Sequence, residues 1–346
     1  MDFFQGEPAP NRVSAESVRK ENRLLMYRAH YHLNREPFAM VPDLRFLWTG
    51  AQQSRVLETL KDAVLHGDGC VILTGDIGTG KTTLVKHIGE IAGLATVFIA
   101  VSGPELSGLD FFHVLAAEFQ INRRFRRREE FIADFTRVLS QAFSGYRKVV
   151  LIIDEAQRLT RSALRDLAVL AELQLNGRKP LTLILVGQLE LNAVLAPDED
   201  GEVLPKIAAR CCLEPLAEED TRNYIVHRLK TAGRSQPLFS GDAVRQIHAL
   251  SKGYPRLINI ICDHALLYGY SANLQLIEGS VIRDCSRDLS VALDLEESLQ
   301  DPPASPAAVS AGSPAAAASV AWSGRPWLYL AAAVAAAGAL LYYITG

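Results

Sequence analysis

The chain has 346 residues, 49% of them hydrophobic and 22% charged. That length and balance suit about two globular domains and exclude a disordered chain. A formal net charge of -3 argues against a wholly electrostatic nucleic-acid binder. The cysteines Cys70, Cys211, Cys212, Cys262 and Cys285 form no CxxC pair and no zinc-ligand spacing, so they read as free thiols in a reducing compartment. Met1–Lys20 lacks the apolar core of a signal peptide.

Residues 1–25 are polar and read as a loose arm. Tyr27, Tyr31, Pro37-Phe38 and Phe46-Leu47-Trp48 form an aromatic segment, and Ser54–His66 carries apolar residues at helical spacing. Cys70–Thr74 reads as a buried strand, followed by Gly75-Asp76-Ile77-Gly78-Thr79-Gly80-Lys81-Thr82 and a helix from Thr83. Strand, glycine loop and helix in that order are the context a phosphate-binding loop requires. Its glycines let backbone N–H groups converge on one anion, and the helix N-terminus adds partial positive charge. Lys81 is expected to reach the β- and γ-phosphates, and Thr82 to offer its hydroxyl to Mg²⁺. The aromatic segment before the loop is read as core packing or, alternatively, as a cover over the adenine ring.

Alternating elements follow. Thr96–Val101, Lys148–Ile153 and Leu181–Val186 read as strands, and Gly108–Phe119, Glu129–Phe143 and Ser162–Gln174 as helices. Apolar runs separated by helices indicate a parallel sheet covered on both faces. The strand ending at Ile153 runs into Asp154-Glu155. Carboxylates at that sheet edge, beside the glycine loop, suit a Mg²⁺ shell at Asp154 and an attacking water at Glu155. Gln188, ending another strand, is read either as a γ-phosphate or water contact or as a turn residue. Arg123–Arg128 holds five arginines around Phe125; it is read as a solvated loop, partly neutralised by Glu129-Glu130, or alternatively as a contact for phosphates of nucleic acid or anionic lipid. From Leu216 the strand signals stop, and helices over Ala217–Thr231, from just after Ser240 to near Ser251, over Leu257–Tyr268 and over Glu278–Leu289 make a small all-helical part.

These motifs, over about residues 27–290, resemble an AAA+ ATPase, and more narrowly the GspA/ExeA family of secretion-associated ATPases. The likeness rests on Pro37-Phe38, Asp43-Leu44-Arg45-Phe46-Leu47, the loop Gly75–Thr83, the Walker B stretch Leu151–Gln157, Leu185-Val186-Gly187-Gln188 and Gly253–Arg256. The resemblance implies a P-loop NTPase α/β domain over residues 26–215 and a helical lid over 216–295. It also implies ATP and Mg²⁺ as ligands. Gly75, Asp76, Ile77, Gly78, Thr79, Gly80, Lys81, Thr82 and Thr83 would hold the nucleotide, and Thr82 and Asp154 the metal. Glu155, Gln188, Arg256 as sensor 2, and Arg210 would serve hydrolysis. Lys206 stands where the family carries arginine, and lysine lacks the planar fork of a transition-state clamp. Arg210 is the expected substitute from a neighbouring subunit of a homo-oligomer. Rival readings are a nucleotide-gated switch with little turnover and a DNA-associated ATPase of the transposition-helper kind.

Residues 296–325 are rich in Pro, Ala and Ser and read as an extended linker. Trp327–Ile344 is an uncharged run of 18 residues with aromatic residues at both ends. At 1.5 Å per residue it spans about 27 Å, enough for one transmembrane helix over 326–344. Arg325 on its N-terminal side favours a cytoplasmic ATPase anchored to the inner membrane, acting on a membrane partner. Proteins of the resembled family continue past such a helix into a periplasmic cell-wall-binding domain; here Thr345-Gly346 follow it. Nucleic acid is not an expected partner.

Overall fold

The computed structural model describes residues 26–65, 69–90, 94–101, 108–144, 148–175, 177–196 and 206–286. The chain divides into Met1–Leu295 and Glu296–Gly346, and the second unit lies outside the described residues. The expected arm, linker and membrane helix therefore lie outside them too. Among the described residues no helix is long and apolar enough to cross a membrane.

The first elements are α1 (Ala51–Leu65), β1 (Cys70–Gly75), α2 (Lys81–Ile88), β2 (Leu94–Ala100), α3 (Gly108–Glu118) and α4 (Arg128–Ser144). They continue through β3 (Lys148–Asp154), a 3-10 turn Ala156–Arg158, α5 (Arg161–Ala171), β4 (Leu181–Val186), α6 (Leu191–Val194) and β5 (Ile207–Leu213). The five strands pair in the order β2-β3-β4-β1-β5, every pair parallel. Alternate residues of β1, β3 and β4 enter opposite cores, as the pleat requires. Ile72, Leu151, Ile153, Leu183 and Leu185 pack toward the aromatic cluster of α3 and α4. Val71, Leu73, Val150, Ile152, Ile184 and Val186 pack toward α1 and α2. In the aromatic cluster Phe112 stacks on Phe131 with ring centroids 4.6 Å apart, and Phe131 stacks on Phe135 at 5.3 Å.

The expected parallel sheet is therefore present, with one difference: β5 is a fifth strand that the residue pattern alone did not mark. β4 lies between β1 and β3, and Asp154 at the end of β3 still stands beside the loop, as expected.

The helical part comprises α7 (Glu218–Thr231), α8 (Gly241–Ser251), α9 (Pro255–Ser271) and a helical stretch over 279–286. Local chemistry sets its limits. Glu218, Glu219 and Asp220 fill the first turn of α7 and Arg228 and Lys230 its last, matching the helix dipole. Ser240 caps α8 by accepting the Ala243 N–H at 3.1 Å, and Pro255 opens α9.

The aromatic segment is buried chiefly in this helical core, while its Leu47 packs against the α/β core. Tyr27, Tyr31, Phe38 and Phe46 are buried with Ile225, Ile247, Ile261 and Leu266. A division at residue 215 thus follows the chain but not the cores. Arg228 fastens the segment. It is buried, donates to the carbonyls of Pro37 and Ala39, and donates to Tyr224 Oη at 2.8 Å. Its guanidinium also lies 5.0 Å from the Phe46 ring centroid. Arg228→Met, which keeps the stem but removes these donors, is expected to destabilise the protein by about 2–4 kcal/mol. Urea unfolding measures this; a change under about 0.5 kcal/mol would show that the segment is held by its aromatic residues alone.

Candidate nucleotide-binding site

The loop joins β1 to α2 at the carboxyl edge of the sheet. Gly78 has φ +82, and a Cβ there would stand 2.9 Å from the Arg256 Cβ of α9, so the lid helix packs where a side chain would be. At Gly80 nothing lies within 4 Å of the corresponding position, which leaves the mouth of the loop open. Lys81 is 7% exposed, and its Nζ donates to the carbonyls of Gly75 at 2.7 Å and Asp76 at 2.9 Å. Burial lowers its pKa, opposed by the charges of Glu155, Asp154 and Asp76. Thr79 Oγ1 closes the turn on the Asp76 carbonyl at 2.9 Å.

Thr82 Oγ1 donates to Asp154 Oδ2 at 2.6 Å, and the Glu155 N–H donates to Asp154 Oδ1 at 3.0 Å. Asp154 is 4% exposed; burial raises its pKa, against the lowering effect of these two hydrogen bonds. Glu155 follows at φ 56, ψ 36 and lines the cleft. Gln157 Nε2 donates to Glu155 Oε2 at 2.8 Å.

The cleft holds about 450 Å³ and runs from the loop to the aromatic segment and the helical part. Met40, Val41 and Trp48 form one wall, Ile77–Thr83 the floor, and Arg256 with Asn259 the lid side. Tyr27, Tyr31 and Phe38 of the aromatic segment fill the helical core, as the core-packing reading expects, while Trp48 walls the cleft. The lid also touches the loop: Tyr254 Oη donates to Asp76 Oδ2 at 2.8 Å, and the Arg256 N–H donates to the Gly78 carbonyl at 3.2 Å. That bond to Asp76 raises the Tyr254 pKa.

The remaining expected residues divide. Gly75 and Asp76 act through their carbonyls on Lys81, while Thr83 and Arg256 line the cleft. Gln188 meets the site through its backbone N–H, which donates to Gln157 Oε1 at 3.2 Å; its side chain is not part of the lining. Arg210 is exposed on the edge strand β5, outside this chain's cleft, with its Nη1 donating to Asn192 Oδ1 at 3.1 Å. Lys206 precedes β5 at the opposite, amino end of the strands. In the arginine-rich loop Phe125 is buried, Arg123 pairs with Asp134 at 3.2 Å, Arg127 with Glu130 at 3.3 Å and Arg128 with Asp166 at 2.9 Å. Of the expected acidic pair Glu130 takes part in this neutralisation, and Asp134 and Asp166 add to it. Gln157, Tyr254 and Asn259 received no role from the sequence, although the first two sit inside motifs already singled out.

The donor set fits Mg²⁺. A hydroxyl and a carboxylate oxygen converge at the loop, and Mg²⁺ takes few protein ligands beside water and phosphate oxygens. Among the described residues no group of three or more His, Cys, Asp or Glu stands ready for a more protein-rich site.

The profile of an AAA-domain family matches residues 64–195. General secretion pathway protein A of Aeromonas hydrophila is 32% identical over 259 residues, 74% of this chain and 47% of the relative. This is an AAA+ protein that resembles the GspA/ExeA family. The chain spans about half the length of the curated relative it matches. Among solved structures, Cdc6p from Pyrobaculum aerophilum aligns with TM-score 0.54 and 17% identity, over 70% of this chain and 67% of that one. The Drosophila origin recognition complex (ORC) bound to DNA aligns with TM-score 0.52 and 15% identity, over 88% and 73%. At such identities these two likenesses concern the AAA+ fold alone.

The raised pKa of Asp154 means that the folded AAA+ module holds this proton more tightly than the unfolded chain. That stabilisation is complete below the unfolded carboxylate value of about 3.9 and is lost as pH rises through the higher folded value. Above that folded value the fold carries a buried, ionised carboxylate. Asp154→Asn should therefore leave the ligand-free melting temperature at pH 7 equal or a few degrees higher. It should flatten the stability profile just above the usual carboxylate range and abolish Mg²⁺-dependent stabilisation by nucleotide. A lower ligand-free melting temperature would show that the two hydrogen bonds to the carboxylate outweigh its burial.

Proposed function

We propose that this AAA+ chain binds ATP with Mg²⁺ in the cleft and hydrolyses it, and that the cycle moves the helical part against the sheet domain. The observation that carries this reading is the convergence of Thr82, Asp154 and Glu155 at the mouth of the Lys81 loop. Lys81 exchanges its two loop carbonyls for phosphate oxygens, a stronger charge-assisted contact. Thr82 and Asp154 would hold Mg²⁺, which would supply charge to neutralise that developing on the phosphate. Glu155 orients and polarises the attacking water. Arg256 on the lid side of the cleft adds positive charge, and its position makes lid placement depend on the ligand. Arg210, exposed on the edge strand, completes the site of a neighbouring copy in a homo-oligomer.

The wider role follows the named relative. The motion acts on a membrane partner in a secretion or cell-envelope assembly system, from the cytoplasmic side of the inner membrane, with residues 326–344 as anchor. Support comes from the relative's name and from the uncharged run Trp327–Ile344 behind a Pro/Ala/Ser-rich linker. A switch with little turnover is the second reading, favoured by Lys206 at the position where the family carries arginine.

Lys81→Ala should abolish ATP binding, measured by calorimetry, whereas Glu155→Gln should retain binding and lower turnover by about 10²–10⁴-fold. Unchanged affinity in the first variant would sink the nucleotide assignment. Full-length wild-type protein that binds ATP without any turnover at high concentration would establish the switch instead. For the anchor, deletion of residues 326–346 should release from membranes a protein that still binds ATP. A truncated protein that still pellets with membranes in high salt would place the attachment elsewhere in the chain.

A further inference from the structure

Gln157 lies in the turn Ala156–Arg158 that follows β3, and none of the steps above uses it. Its amide has two partners, Glu155 Oε2 at 2.8 Å and the Gln188 N–H at 3.2 Å. They fix its orientation, because a carboxylate only accepts and a backbone N–H only donates. The amide thus joins the end of β3 to the end of β4. The next bond in the same direction is the Gly187 N–H to the Leu73 carbonyl of β1 at 3.0 Å. The loop strand and Glu155 are therefore connected through β4 and one side chain. Gly187 provides the room. A Cβ there would stand 2.6 Å from Gln157 Oε1 and 3.0 Å from Leu191 Cδ2. Glu155 itself sits at φ 56, a left-handed conformation that non-glycine residues hold at a cost of about 1 kcal/mol. Neither strand nor helix geometry aims its side chain, so the carboxylate direction depends on its hydrogen-bond partner.

We infer that Gln157 is a positioning residue that aims Glu155 into the cleft and makes that aim depend on the β4–β1 edge. The inference rests on the ATP-hydrolysis reading. Gln157 occupies one carboxylate oxygen of Glu155 and leaves the other to face the attacking water. A shift of β1 when the loop takes phosphate reaches Glu155 through Gly187, Gln188 and this amide. Nucleotide occupancy and alignment of the catalytic carboxylate are then one event, carried by a contiguous chain of hydrogen bonds.

The test uses the full chain and compares ATP turnover with affinity for a non-hydrolysable ATP analogue. Gln157→Ala should lower kcat about 10–100-fold and leave the analogue Kd within about twofold, because positioning is lost and binding is not. Gly187→Ala should reproduce that loss by displacing Gln157. The double variant should be no more than about twofold below the weaker single one, since both changes break the same link. Gln157→Glu keeps an acceptor for the Gln188 N–H and regains a donor toward Glu155 only when protonated. Its turnover relative to wild type should therefore rise as pH falls, which a merely structural role would not produce. An active wild type with an equally active Gln157→Ala variant would overturn the inference alone, and so would fully additive losses in the double variant. A wild type without turnover would overturn the hydrolysis reading and the inference together.

Discussion

Thr82 and Asp154 stand 2.6 Å apart although their elements follow strands that are not neighbours. The sheet order β2-β3-β4-β1-β5 puts one strand between them, and the gap is closed by side chains at the carboxyl edge. Both atoms are hard oxygen donors, and the carboxylate is buried at the end of an apolar strand. A buried carboxylate is unfavourable unless it is hydrogen-bonded or paired. Here Thr82 and the Glu155 N–H donate to it, and the nearby Lys81 charge favours its ionised form. Lys81 is itself buried, with its Nζ donating to two loop carbonyls.

The cleft has a sheet side and a lid side, and the lid side is made by distant parts of the chain. Arg228 of α7 ties down Pro37 and Ala39, so the wall that carries Met40, Val41 and Trp48 is anchored on the helical core. Displacing that core moves the wall with it. Tyr254 and Arg256, at the start of α9, reach the loop directly. A ligand in the cleft is therefore gripped between the phosphate loop and a helical part that carries both the wall and the arginine. That arrangement lets local contacts act as a lever on the whole helical part.

The sheet interior was legible in the residues because β1, β3 and β4 are continuous apolar runs, buried on both faces. β5 was not, because its side chains alternate between half-buried and exposed, and the run Ile207–Leu213 includes Arg210 and two alanines. The loop, Asp154 and Glu155 were legible as spacing and context. The role of Gln188 was only half legible: its position at a strand end was right to notice, but its backbone reaches the site and the side chain of Gln157 does the touching. No periodicity marks an amide that bridges two strand ends. Nor does composition tell which core an aromatic segment joins, since burial next to α1 and burial next to α9 require the same residue types. Limits of the helices were closest where a cap was readable, as at Ser240, and drifted by up to three residues where only apolar spacing guided them.

The partnership of the aromatic segment with the helical core also bears on how the chain is made. Tyr27 Oη bonds Asp263 Oδ1 at 3.2 Å across a separation of 236 residues. During synthesis at about 5–20 residues per second, Tyr27, Tyr31, Phe38 and Phe46 wait about 10–50 s before α9 leaves the ribosome. The sheet domain, whose strands all lie between, completes its own cores first. The last closure is thus a docking of the earliest aromatic residues onto the latest helices, a contact of very high order that forms slowly. Until then a row of large apolar side chains is without its native cover.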